Sequence, residues 1–168
     1  MAKLTMVQAL NLALRQEMEK DDQVIVLGED VGMDGGVFRV TDGLIDRFGK
    51  ERVVDTPLAE SAIVGMSIGM ALYGLKPVCE MQFSGFSYHG FHQIENHAAR
   101  LRWRTQGRFH VPMVLRTPYS GGVRALEHHS ESREIYYAHT PGLKIVIPSG
   151  PRSARALLVS PQLLLLDE

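Results

Sequence analysis

The spacing of apolar positions changes several times along the chain, and each change marks an element. Val7, Leu10, Leu14 and Met18 recur at helical spacing behind Thr5 and Gln8, which stand as the pair of a capping box. The spacing predicts an amphipathic helix entered through Thr5. Val24 to Leu27 is apolar at every position, as central parallel strands covered on both faces tend to be. The loop Gly28 to Gly36 follows, then a short helix around Thr41 to Phe48 closed by Gly49. The theme repeats with strand Val53-Val54 and helix Glu60 to Tyr73, then strand Val78 to Met81 and a helix from about Gly90 to Arg104. It ends with strand Met113 to Leu115, an irregular stretch rich in Gly and His, and strand Lys144 to Ile147. Strands alternating with helices predict an α/β domain, doubly wound, with a mostly parallel sheet and helices on both faces.

In such sheets ligands bind outside the carboxyl ends of the strands. Four loops are expected there: Gly28 to Gly36, Thr56 to Glu60, Gln82 to His89, and Pro118 to Ser132. Glu60 is the most informative of their residues. It stands in the first turn of a helix with no other charge from Ser61 to Leu72. Burial there favours a protonated carboxyl, which can hand a hydrogen bond or a proton to a ligand. The ordinary alternative is an acid that only complements the helix dipole, worth a few tenths of a kcal/mol. Gly65 and Gly69 on the same helix allow another backbone to come close, either a second subunit or the chain's own sheet.

Composition narrows the picture. At 168 residues, 45% hydrophobic and with a net charge of -1, the chain suits one domain and has no cationic excess for nucleic acid or acidic membranes. No apolar run reaches the roughly 20 residues of a membrane-spanning helix, and the N-terminus lacks the order of a signal peptide. The single cysteine, Cys79, lies in a strand-like run and reads as a small core residue. A cytoplasmic location is expected.

Several chemistries are not supported. Gly32, Gly35 and Gly36 have the wrong spacing for a dinucleotide fingerprint, and there is no Walker loop. His89 and His92 fall at i, i+3, and His128 and His129 are adjacent, but adjacent side chains diverge and a zinc site needs three or four convergent ligands. No metal ligands are assigned. Arg100, Arg102, Arg104 and Arg108 around Trp103 do not share one helical face and read as a solvated or interfacial helix end.

Taken in order, the loops resemble one family. Leu27-Gly28-Glu29-Asp30-Val31, Val54-Asp55-Thr56-Pro57-Leu58-Ala59-Glu60, Glu80-Met81-Gln82-Phe83, His128-His129-Ser130-Glu131-Ser132 and His139-Thr140-Pro141-Gly142-Leu143-Lys144 are similar to the β subunit of the thiamine-diphosphate-dependent E1 component of pyruvate and branched-chain 2-oxo acid dehydrogenases. The resemblance runs from the first helix to about Leu158.

The resemblance implies a transketolase-like domain that binds the aminopyrimidine of thiamine diphosphate. It implies that Glu60 hydrogen-bonds the pyrimidine nitrogen opposite the exocyclic amine, favouring the imino tautomer that deprotonates the thiazolium carbon. Glu29, Leu58, Glu60 and Phe86 are the implied cofactor-binding residues. Phe86 would pack on the pyrimidine face, against the alternative of an ordinary core phenylalanine, and Glu29 would stand in the channel beside it, against that of a solvated loop acid. Glu60 and His129 are the implied catalytic residues, His129 handling substrate or the lipoyl acceptor near the reacting carbon.

The family's diphosphate-binding pattern and its Mg2+ lie on an α subunit, so an isolated chain is expected to be inactive. Implied partners are that E1 α subunit, a second β subunit, a lipoyl domain and the E2 acyltransferase core. The expected organisation is a pyrimidine-binding domain over 1–159 and a short divergent tail over 160–168, without the family's C-terminal domain or a complete potassium site. The expected reaction is decarboxylation of pyruvate or a branched-chain 2-oxo acid with acyl transfer to lipoyl-lysine. Alternatives are another split transketolase-like thiamine enzyme and a noncatalytic, subunit-binding fragment.

Overall fold

The computed structural model describes residues 3–158 and 163–167. Its first helix, α1 (Met6–Lys20), begins as the sequence predicts. Gln8 N–H donates to Thr5 Oγ1 at 3.2 Å, and the Gln8 side-chain oxygen accepts from Thr5 N–H at 3.0 Å. Leu10, Leu14 and Met18 are buried along one face.

Six parallel strands follow: β1 (Val24–Gly28), β2 (Val53–Asp55), β3 (Lys76–Glu80), β4 (Val114–Pro118), β5 (Ile145–Val146) and β6 (Leu163–Asp167). They lie in the order β2-β1-β3-β4-β6-β5. Between them run α2 (Leu44–Phe48), α3 (Glu60–Leu72), α4 (Leu101–Arg104), α5 (Glu134–Ala138) and α6 (Pro151–Leu158). Of the tail expected over 160–168, residues 160–162 and 168 lie outside the described residues, and Leu163–Asp167 forms β6 between β4 and β5.

Alternation along the strands divides the core in two. Val24 and Val26 of β1, Val53, Val78 and Val114 face α1, Leu44 of α2 and Ala154 of α6. Leu27, Cys79 and Leu115, their neighbours in sequence, face Ile63, Val64 and Ile68 of α3, Ile94 and Tyr137 of α5. Successive strand residues point to opposite faces, so a strand apolar at every position requires a helical layer on each side. That is the doubly wound α/β arrangement expected.

The chain leaves β1 outward to β2 and returns to place β3 on the other side of β1. Such a reversal separates the loops that leave the two adjacent strands and opens a crevice at their carboxyl ends. The loops after β1 and β3 therefore frame the site.

The segment after β3 departs from expectation. The helix expected from about Gly90 to Arg104 is instead a π-helix (Gln93–Ala98) and then α4, preceded by a 3-10 segment (Ser84–Gly90), and the stretch expected to be irregular before Lys144 contains α5. The wide turn is explicit in Ala99 N–H donating to the Ile94 carbonyl at 2.9 Å. Sequence propensity does not distinguish an α from a π turn; tertiary contacts choose. Here Gly142 packs so closely on Ala99 that a Cβ at that glycine would lie 2.2 Å from the Ala99 carbonyl oxygen.

Candidate functional site

Glu60 is the first residue of α3 and is 4% exposed, so the burial anticipated from its apolar helix is present. Its neighbour across space is an exposed histidine, His89, whose Nδ1 lies 3.4 Å from Glu60 Oε2. This contact is set by a glycine. A Cβ at Gly90 would stand 2.9 Å from Val64 Cγ2 and 3.4 Å from the Glu60 carbonyl oxygen, so the 3-10 segment lies directly on the first turns of α3. His89, one residue earlier, is held beside the acid.

A second carboxyl comes from the end of β1. Glu29 is 6% exposed, and its Oε1 is buried without a hydrogen-bond partner among the described residues. Burial pushes this carboxyl above the usual range, and the charges of Glu60 and Asp30 push it further in the same direction. Two buried acids thus face each other's field where the sheet opens. The Thr56 hydroxyl oxygen, on the loop from β2 to α3, is also buried and unpartnered among the described residues. Buried polar atoms of this kind call for a ligand or water.

Asp55 ties the two loops together. Its carboxylate accepts from Gly32 N–H at 2.6 Å and from Met33 N–H at 3.1 Å, joining the end of β2 to the loop after β1. Gly32 has no room for a side chain, because a Cβ would lie 2.7 Å from Asp55 Oδ2. Glu29 and Glu60 therefore stand on connected segments.

An aromatic group lines the next loop. The His129 ring packs edge-on against Phe83 at 4.5 Å and Phe86 at 5.2 Å, and Phe38 meets Phe83 at 5.6 Å. The histidine is half-buried, with Nδ1 3.0 Å from the Glu127 carbonyl oxygen. Its chain neighbour His128 turns away toward Glu131, so the adjacent pair diverges as anticipated. Ser84 donates to the Glu131 carbonyl, fixing the histidine-bearing loop to the 3-10 segment. Phe83, His129 and Arg116 border a cavity of about 110 Å³. A larger one, about 370 Å³, lies at the amino ends of β4 and β5, away from both acids.

Glu29 and Glu60 are brought together, and so are Phe86 and His129. Leu58 stands apart, 77% exposed on the loop before α3. His89 and His92 stand at i, i+3 but do not share a regular helix; the His92 ring instead meets His97 at 5.3 Å. Asp55 and Glu80 stand within the family-like motifs without an assigned role, and Arg116 lies outside those motifs. The signal available for Glu80 and Arg116 was a charge inside otherwise apolar strands.

The comparisons agree with this architecture. The chain is 55% identical over 160 residues to the pyruvate dehydrogenase E1 component subunit beta of Acholeplasma laidlawii, covering 95% of this chain and 49% of that protein. It is 56% identical over 155 residues to the 3-methyl-2-oxobutanoate dehydrogenase subunit beta of Mycobacterium tuberculosis (strain ATCC 25618 / H37Rv), covering 92% and 44%. It is 51% identical over 158 residues to the 2-oxoisovalerate dehydrogenase subunit beta of Bacillus subtilis (strain 168), covering 94% and 48%. The chain thus spans about half the length of the curated relatives it matches. Among solved structures, a split-gene transketolase described as an inactive beta4 tetramer superposes with a TM-score of 0.75 at 16% identity, over 99% of this chain and 52% of that one. That likeness supports the fold. Residues 2–162 match the transketolase pyrimidine-binding domain, and the chain belongs to that family.

Proposed function

We propose that this chain supplies the aminopyrimidine side of a thiamine-diphosphate site in the E1 component of a 2-oxo acid dehydrogenase. The observation that carries the reading is the buried carboxyl of Glu60 at the start of α3, beside the crevice that the β1–β3 reversal opens. The residues present suit the cofactor. Glu60 would hold a ring nitrogen of the pyrimidine, the unpartnered Glu29 and Thr56 oxygens would serve polar groups or water beside it, and Phe86 would offer a ring face. Bound there, thiamine diphosphate would supply the nucleophilic carbon that 2-oxo acid decarboxylation requires. Glu60 would orient the pyrimidine and hold a proton at its carboxyl, while His129, aligned by Phe83 and Phe86, would exchange protons with substrate.

The diphosphate and its Mg2+ would be held by an E1 α subunit, since this chain has none of the family's diphosphate-binding pattern. The apolar helix α3 is the face we assign to subunit contact. Gly69 has open space where a side chain would stand, the nearest atom to a Cβ at Gly65 is on Gln93 at 3.9 Å, and Met66, Leu72 and Tyr73 are exposed alongside. A second β subunit, a lipoyl domain and the E2 acyltransferase core complete the proposed assembly. The proposed reaction is decarboxylation of pyruvate or a branched-chain 2-oxo acid, with acyl transfer to lipoyl-lysine.

The test combines the chain with its cognate α subunit, thiamine diphosphate and Mg2+, and follows decarboxylation of pyruvate and 3-methyl-2-oxobutanoate with an artificial electron acceptor. Turnover reduced about 100-fold or more by Glu60→Gln is the expected result, given what single positioned acid–base groups contribute. A complex that forms but never turns over would leave only the subunit-binding role.

A further inference from the structure

We propose that His89 is a positioning residue for Glu60, and that its charge sets how thiamine-diphosphate binding depends on pH. The inference rests on the function proposed above. Three observations support it. His89 Nδ1 lies 3.4 Å from Glu60 Oε2, close enough for an ion pair though longer than a normal hydrogen bond. Gly90 holds the 3-10 segment on α3, so the backbone that carries His89 is fixed beside the first turn of that helix. The His89 side chain is 74% exposed, so the imidazole exchanges protons with solvent while its partner is buried.

The charged surroundings make this contact selective. Helix α3 carries no charged side chain besides Glu60. The end of β1 contributes Glu29 and Asp30, both anionic when ionised, and Gln82 binds Asp30 at 2.7 Å. The loop carrying His129 contributes His128, Glu131 and Arg133, but these pair with one another and with Tyr88. On its own segment the nearest titratable neighbours are Tyr88 and His92, which meet Tyr136 and His97 edge-on. His89 is thus the basic side chain of this group that reaches Glu60.

The consequence has a definite sign. Imidazole gains its proton between about pH 8 and pH 5. As imidazolium, His89 pairs with the carboxylate form of Glu60 and competes for the oxygen that the pyrimidine needs. As neutral imidazole it makes no such claim, and it can still orient the acid. Cofactor binding should therefore weaken toward acid pH by more than the cofactor's own ionisation produces.

Thiamine-diphosphate affinity is measured by titration calorimetry on the complex with the cognate α subunit and Mg2+, at about pH 6 and about pH 8. The proteins are wild type, His89→Asn, His89→Gln, Glu60→Gln and the double variant Glu60→Gln/His89→Asn. Asn and Gln keep a neutral donor but cannot titrate, and the cofactor's ionisation cancels when variants are compared. Wild type should lose about three- to tenfold more affinity between pH 8 and pH 6 than either His89 variant, a partial shift of the kind an exposed partner produces. In the Glu60→Gln background, His89→Asn should change nothing further. Parallel loss in wild type and both His89 variants, with Glu60→Gln still impaired, would overturn the role of His89 and leave the cofactor site standing. Undiminished affinity in Glu60→Gln at both pH values would sink the cofactor site and this inference together.

Discussion

Glu80 and Arg116 are register partners on adjacent central strands, each almost wholly buried, with Glu80 Oε2 2.5 Å from Arg116 Nη2. An ion pair this deep is expensive to desolvate, and its net worth against well-packed apolar residues is small. Its more specific effect is on alignment: a slip of β3 against β4 would leave two buried charges unmatched. The pair also borders the loop after β1, since a Cβ at Gly36 would lie 3.1 Å from Glu80 Oε1.

Arg116→Met should therefore cost more than an ordinary core change. Removing one member strands the Glu80 charge, and about 3–5 kcal/mol of stability should be lost in urea unfolding. The double variant Glu80→Leu/Arg116→Met should recover much of that. A single variant within about 1 kcal/mol of wild type would refute the pairing as a stability determinant.

Glu29 gives a pH-dependent expectation. Burial and the charges of Glu60 and Asp30 raise its folded-state pKa. Such a group binds its proton more tightly when folded, so its contribution is fully present below the unfolded carboxylate pKa and is lost as pH rises through the folded value. Glu29→Gln should raise Tm relative to wild type at pH 7 to 8, and the gain should shrink toward about pH 4, near the unfolded carboxylate value. An equal change in Tm at both ends of that range would contradict the assignment.

Gly90→Ala should separate the 3-10 segment from α3. Val64, whose Cγ2 would meet the new methyl, is fully buried and β-branched, so it has little freedom to yield. Overpacking at such a site typically costs about 1–3 kcal/mol. Denaturant unfolding checks the loss; unchanged stability would show that the segment shifts freely.

Much of this molecule could be read from the chain, for reasons that differ by element. The Thr5–Gln8 box and the all-apolar β1 are local codes, and each appears where the pattern put it. Burial of Glu60 and Cys79 followed from the apolar company each keeps in sequence. The π-helix was not legible, because its turns are chosen by packing against residues far along the chain such as Gly142. His89 was hidden for the same reason. Helical spacing pairs His89 with His92, while the actual partner, Glu60, lies on another element, where the close approach of Gly90 to α3 brings the two segments together. Strand ends alone locate the four candidate loops, but which of their side chains meet, as His129 meets Phe83 and Phe86, depends on the folded loops.

The two hydrogen bonds from Asp55 to Gly32 and Met33 carry a thermodynamic consequence. Loops that must be ordered by a ligand subtract that ordering entropy from its affinity, whereas loops already fastened do not. By clasping the backbone beyond β1 from the end of β2, Asp55 moves this expense into folding, and a small guest arriving between Glu29 and Glu60 would meet walls already in place.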